Sequence, residues 1–247
     1  VGHKNIELAI AYLKTQFYQP EELFVTGYSA GGTGTLINYH FFRKELNPKK
    51  SYMLNDSGPI FTVAGGKGFH GRLHAQIRSA WNVDYVISQY YQDMPDFDFN
   101  SDLGLLNEAL AVKYPNDKLA ITVLVRDETY SGYSYSRFYG LDEGNVEQKE
   151  QILQMWHSDL KLLMQQYDRY PNLKYFIPYY RKIISSHCTT VLEFKGSEIY
   201  NTRVDVGTFI NSMLSGYGYK SAYEEYNAND KNVTSFWTEL LDLIGNL

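Results

Sequence analysis

The stretch FVTGYSAGGTGTL, residues 24–36, passes from apolar residues into a serine fenced by glycines and then into a run of small residues. Leu23–Thr26 predicts a short apolar strand, and the spacing after Gly32 predicts a helix to Phe42. Gly27-Tyr28-Ser29-Ala30-Gly31 therefore fits G-x-S-x-G in a strand–turn–helix context, which is what a nucleophile elbow requires. Such a serine sits in a strained backbone conformation, and glycines keep bulk away from the adjoining strand and helix. The helix that follows points its first N–H groups at the site and favours a developing negative charge there. The alternative is a glycine-rich surface turn with no chemistry.

Outward from this stretch, the chain alternates strand and helix. Residues 5–17 read as helix, 52–54 as strand, 119–125 (LAITVLV) as a buried strand, 146–167 as a long helix, 173–177 as strand and 233–244 as a closing helix. Residues 60–110 read as less regular. Short apolar strands separated by amphipathic helices predict an α/β fold with a mostly parallel sheet covered by helices, as one domain over residues 1–247. The chain enters almost at once into a helix with Ile6, Ile10, Leu13 and Phe17 on one face. Strands to receive that face are expected in a segment before residue 1, or in a companion chain carrying that part.

In a parallel sheet the functional groups gather at the carboxyl ends of the strands. A serine needs a base, and the chain order for this architecture is serine, then acid, then histidine. Of the six histidines, His3 precedes the elbow, His40 and His157 lie inside helices, and His70 and His74 fall in the irregular region. His187 follows the 173–177 strand in the polar turn Ser185-Ser186-His187-Cys188 and is the candidate base. Asp127 follows LAITVLV and is the candidate acid, with Asp56 the runner-up and Glu128 a substitute; Arg126 reads as a structural ion-pair partner. Ala30, next after the serine, is the candidate main-chain donor of an oxyanion hole, and the second donor is expected from a loop upstream of residue 1.

Hydrophobic residues make up 44% of the chain and charged residues 21%, enough for a sizeable core. A net charge of -5 without a basic run argues against nucleic acid or an anionic membrane as the main partner. No apolar run approaches the ~20 residues of a transmembrane helix. The single cysteine, Cys188, reads as a buried thiol or as the partner of a cysteine outside the chain. Of the 23 tyrosines, eight cluster at 130–139 and 217–226, where their flat faces suit a sugar or simply fill half-buried positions. Asp96, Asp98, Asn100 and Asp102 alternate as in a calcium loop, but the sixth position is not glycine and the twelfth is Asn107, so a solvated loop is the better reading. No zinc-ligand spacing and no cofactor motif occurs.

The chain resembles the pectin acetylesterase and Notum-like serine hydrolases, especially their bacterial secreted members. The resemblance is carried by Gly2-His3-Lys4-Asn5, VTGYSAGGTGTLINY, LNDSGPIF, YPNDKLAITVLVRDETYSGYSYSRFYG and SSHC, with SAGG the most specific element. It implies an α/β-hydrolase fold, a triad at Ser29, Asp127 and His187, and a secreted or cell-envelope location. Family members carry further N-terminal strands and several disulfides, whereas one cysteine is present here. Two functions are weighed. The first is hydrolysis of a small or glycan O-acyl ester, acetyl esters included, with lipase-like action on longer chains as a variant. The second is a catalytically silent surface protein that binds glycan or protein.

Overall fold

A computed structural model describes residues 2–225 apart from 64, 65, 67, 193 and 201, so the expected 233–244 helix lies outside the described residues. Among the described residues five parallel strands pair in chain order: β1 Glu22–Tyr28, β2 Lys50–Asp56, β3 Lys118–Thr122, β4 Leu173–Ile177 and β5 Ala222–Tyr223. Because every neighbour is parallel, the chain must return to the same end of the sheet between strands, and helices make the returns. Helix α1 is Gly2–Phe17, and α2, Ala30–Leu46, joins β1 to β2. Three helices, α3 Gly71–Trp81, α4 Val83–Asp93 and α5 Leu106–Lys113, lie between β2 and β3. Two more, α6 Glu128–Tyr139 and α7 Val146–Tyr167, lead to β4, and α8, Val206–Ser215, leads to β5.

The strands sort their side chains with a period of two. Met53, Leu119, Ile121, Leu173 and Ile177 enter the main core beneath α2–α7. Tyr52, Leu54, Ala120 and Phe176 enter a smaller core under Val206, Phe209 and Met213 of α8. The second face of β1 is left open among the described residues, with Phe24 40% and Tyr28 62% exposed. Helix α1 lies against α2, tied by Lys14–Glu45 at 2.9 Å and His3–Asn38 at 3.2 Å. Of its expected apolar face only Ile10 is buried, and Phe17 is 60% exposed.

The region 60–110 departs from its expected irregularity. Leu73 and Ile77 on α3, and Val83, Val86, Ile87 and Tyr90 on α4, are buried at helical spacing. The joint between them is a single residue, Asn82, whose left-handed backbone (φ 51°) ends one helix and starts the next. Without a glycine or proline the break is hard to see in sequence. The tyrosine cluster at 130–139 is helix α6, started by Asp127 as its cap and stopped at Gly140 with φ 66°. The β3 ladder ends at Thr122, earlier than the apolar run, although Val123 and Val125 still donate to the carbonyls of Phe176 and Pro178. No helix among the described residues is long and apolar enough to cross a membrane.

Helix α7 ties the core to the loop before α3. Trp156, fully buried, donates its indole N–H to the Leu124 carbonyl at 3.1 Å. One turn on, buried Asp159 accepts from the Phe69 N–H with both oxygens, at 2.9 and 3.1 Å, and from the Tyr135 hydroxyl at 2.8 Å. Burial pushes the Asp159 carboxyl up to about 6. A carboxyl raised above its unfolded value supports the fold most at low pH, and that support is lost as pH rises through the folded value. In paired chemical denaturation, the stability of the parent relative to Asp159→Asn is expected to fall by about 3 kcal/mol between pH 3 and pH 7. A difference that stays level, or grows with pH, would sink this assignment.

Candidate active site

Ser29 joins β1 to α2 with φ 55° and ψ −126°, a region that residues with a side chain rarely occupy. Three main-chain hydrogen bonds hold it there. Its N–H donates to the Asp56 carbonyl at 2.8 Å, and its carbonyl accepts from Gly32 at 2.9 Å and Thr33 at 3.2 Å. The glycines needed are not quite those of the motif. A Cβ on Gly27 would stand 2.5 Å from the Gly31 oxygen, one on Gly32 2.7 Å from the Asp56 oxygen, and one on Gly58 2.7 Å from the Gly32 carbonyl carbon. A Cβ on Gly31 would meet nothing within 4 Å. Gly31, the closing glycine of G-x-S-x-G, is thus sterically free, and the close approach belongs to Gly32 against the end of β2. Ala30 opens α2, and neither its N–H nor that of Gly31 has an acceptor among the described residues.

Asp127 and His187 are brought together from positions 60 residues apart. Asp127 caps α6: one oxygen accepts the Tyr130 N–H at 2.8 Å, and the other lies 2.7 Å from His187 Nδ1. A helix N-cap favours a short side chain with an acceptor oxygen, and of the residues that serve only aspartate brings a second carboxylate oxygen that is left for another partner. Glu128, inside the first turn, turns away to Lys149 at 2.9 Å, and Arg126 pairs with Glu150 at 2.7 Å. Burial pushes the Asp127 carboxyl up, while the hydrogen bond and charge of His187 pull it back. With Nδ1–H donated to the carboxylate, His187 Nε2 carries the lone pair; this atom is buried and has no hydrogen-bond partner among the described residues. Tyr130 stacks on the imidazole with ring centroids 6.2 Å apart, and its hydroxyl meets Thr33 Oγ1 of α2 at 2.8 Å.

Asp56, the runner-up acid, is occupied elsewhere. Its carboxylate accepts from Thr189 N–H at 2.9 Å, Thr190 N–H at 2.8 Å, the Thr190 hydroxyl at 2.5 Å and the Ser57 hydroxyl at 3.0 Å. Cys188 is free and buried beside the Ser29 main chain. Burial, with Asp56 and Asp127 nearby, pushes its thiol up to about 12, so it is no thiolate nucleophile. Asp98 and Asp102 of the alternating acidic stretch turn to main-chain N–H groups of residues 100, 101 and 104, and Asp102 also binds Thr62 and Val63. No group of three metal-ligating side chains occurs among the described residues. The sequence reading missed Tyr130 as support for the imidazole and Asp56 as anchor of the histidine loop. A signal for Asp56 was present, since Asn55-Asp56-Ser57-Gly58 is a polar cluster at the carboxyl end of a buried strand.

No protein-family model and no curated protein matches the chain. Among solved structures it is similar to the Wnt deacylase Notum from Drosophila, with a TM-score of 0.52 and 14% identity over 95% of this chain and 67% of that one. The fold is of the α/β-hydrolase type. In that frame the serine turn, the Asp127 cap and the His187 loop all stand at the carboxyl ends of β1, β3 and β4.

The two glycines after Ala30 are expected to separate in stability. Gly32→Ala forces backbone apart and should cost more than about 2 kcal/mol, whereas Gly31→Ala should stay within about 1 kcal/mol of the parent. Thermal unfolding of the two variants checks this, and equal losses would mean that the serine turn is not packed on β2 as described.

Proposed function

We propose that the protein is a serine hydrolase of carboxylic esters, with Ser29 as nucleophile, His187 as base and Asp127 as the residue that orients it. The observation that supports this most is the buried Asp127–His187 pair with a free Nε2, at the sheet end that also holds the strained Ser29. Ser29 Oγ attacks the acyl carbon while His187 Nε2 takes its proton. The bond from that carbon to the alcohol oxygen breaks as His187 hands the proton on, and water then releases the acyl group by the same steps. Asp127 keeps the proton on Nδ1 and stabilises the imidazolium. The Ala30 N–H, at the positive end of α2, faces the developing oxyanion. The small O-acyl ester, acetylated sugars included, is the substrate class in this reading, and no cofactor takes part. An extracytoplasmic location belongs to the same reading and rests on the sequence resemblance to secreted hydrolases.

The competing reading, a silent binding protein on the same fold, makes the opposite prediction. The parent should be labelled by a fluorophosphonate probe and should hydrolyse p-nitrophenyl acetate. Ser29→Ala should lose both, and Asp127→Asn should lose on the order of 10³–10⁴-fold in kcat by favouring the wrong imidazole tautomer. An unlabelled parent, or a Ser29→Ala variant at the parental rate, would overturn the hydrolase reading.

A further inference from the structure

Two buried aspartates stand at the carboxyl ends of β2 and β3, and the proposed mechanism uses only Asp127. The other, Asp56, is fully buried with no cation beside it among the described residues. Its four hydrogen bonds come from neutral donors and fill both oxygens: Ser57 Oγ and Thr189 N–H on one, Thr190 N–H and Oγ1 on the other. The Ser57 hydroxyl, having donated to Asp56, accepts the Cys188 N–H at 3.1 Å. The three peptide N–H groups directly after His187 are therefore all gripped by Asp56 and Ser57. On its main-chain side, Asp56 accepts the Ser29 N–H at 2.8 Å. Ser29 and the loop that carries His187 are thus both fastened to one residue, the last of β2.

This grip is specific in direction. The residues around His187 have backbones that loops do not adopt unaided, with positive φ at Ile184, Ser185, Ser186 and Cys188. Left-handed residues in such a row cost free energy unless surrounding bonds dictate them. After His187 the bonds across to β2 are the ones to Asp56 and Ser57; before it, Arg181 N–H donates to Ser186 Oγ at 3.0 Å and the Thr129 hydroxyl of α6 to the Ile184 carbonyl at 3.4 Å. Nothing in this set touches the imidazole itself, whose Nδ1 goes to Asp127.

We propose that Asp56, with Ser57 as its extension, is the positioning residue of the site: the Asp56 carbonyl sets the nucleophile and its carboxylate sets the histidine loop, so that the separation of Ser29 and His187 is fixed through one residue. The assignment rests on the hydrolase reading above for its effect on rate, but not for its effect on the loop. Asp56→Asn puts a side-chain N–H₂ where a carboxylate oxygen accepted from Thr190 N–H, so the grip is lost on one side. Ser57→Ala removes the link to Cys188 and one of the four donors to Asp56, and leaves the Thr189 and Thr190 bonds in place.

The test uses the full chain and p-nitrophenyl acetate. Asp56→Asn is expected to lower kcat about 10²-fold and Ser57→Ala about 10-fold, with KM within about twofold of the parent, because a shift of ~1 Å in a catalytic group costs of this order. In a His187→Ala background, Asp56→Asn should cost nothing further, since it acts through that histidine; a residue needed only for folding would add its loss. Independently of activity, amide exchange at residues 188–190 should quicken in both variants, while exchange in β3 stays at the parental rate. Where Asp56→Asn does not fold, Ser57→Ala carries both measurements. Parental kcat and parental exchange at 188–190 with Ser29→Ala inactive would overturn the assignment of Asp56 alone. Ser29→Ala at the parental rate would overturn the hydrolase reading, and the exchange measurement would still decide whether Asp56 holds the loop.

Discussion

The hydrogen bond from the Ser29 N–H to the Asp56 carbonyl joins the ends of β1 and β2 just where their ladder would otherwise stop. A serine with φ 55° has left the strand, and without a fixed acceptor its N–H would be a buried donor with no partner. Because the acceptor is a main-chain group of the next strand, α2 must start flush against β2, which is why Gly32 and Gly58 have no room for a side chain. The same start aims the N–H groups of Ala30 and Gly31, which have no acceptor among the described residues, outward from the helix end. Backbone strain, close glycine packing and available donors are consequences of one contact between neighbouring strands.

Two aspartates at the same sheet end show how placement decides the work a carboxylate does. Asp127 begins a helix, so one oxygen is spent on the Tyr130 N–H and the second is free to meet an imidazole. Asp56 ends a strand and meets a loop that turns back over it, so its lone pairs are taken by peptide N–H and hydroxyl donors. The chemical group is the same, and the difference lies in what the next element presents to it. Tyr130 joins the two regions: its ring stacks on His187, and its hydroxyl reaches Thr33 in the helix that follows the serine. Trp156 of α7 lies behind it, with ring centroids 5.9 Å apart, so the site backs onto the main core and not onto a loop.

Much of the frame was legible in the sequence. The long helix 146–167 and the strand 173–177 coincide with α7 and β4, because Asn145 and Asp168 bound the one, Asn172 and Pro178 bound the other, and apolar residues recur through both. The serine turn was legible because a strand, two glycines and a helix start leave few other backbones. The helices within 71–113 were less so, since Asn82 turns the chain without glycine or proline and the apolar positions are interleaved with tyrosine and charge. Helix α6 was hidden for a related reason, being built of serine and tyrosine, which are weak helix formers, and made helical by the Asp127 cap and by burial of Tyr130 and Tyr135.

The sequence by itself determined the run from α1 through β1, α2, β2, β3, α7 and β4, the serine between its strand and helix, and a short list of acids and histidines in the right order along the chain. That much follows from local rules, since periodicity, turn chemistry and strand ends are properties of adjacent residues. Only the tertiary structure decided which aspartate meets His187 and which of the motif's glycines is sterically required. Those choices depend on distances between segments about 60 and 130 residues apart, set by the registers of parallel strands and the helices packed between them. Residue spacing carries no record of such distances, so Asp56 and Asp127 look alike in the chain and differ only once β2 and β3 lie side by side.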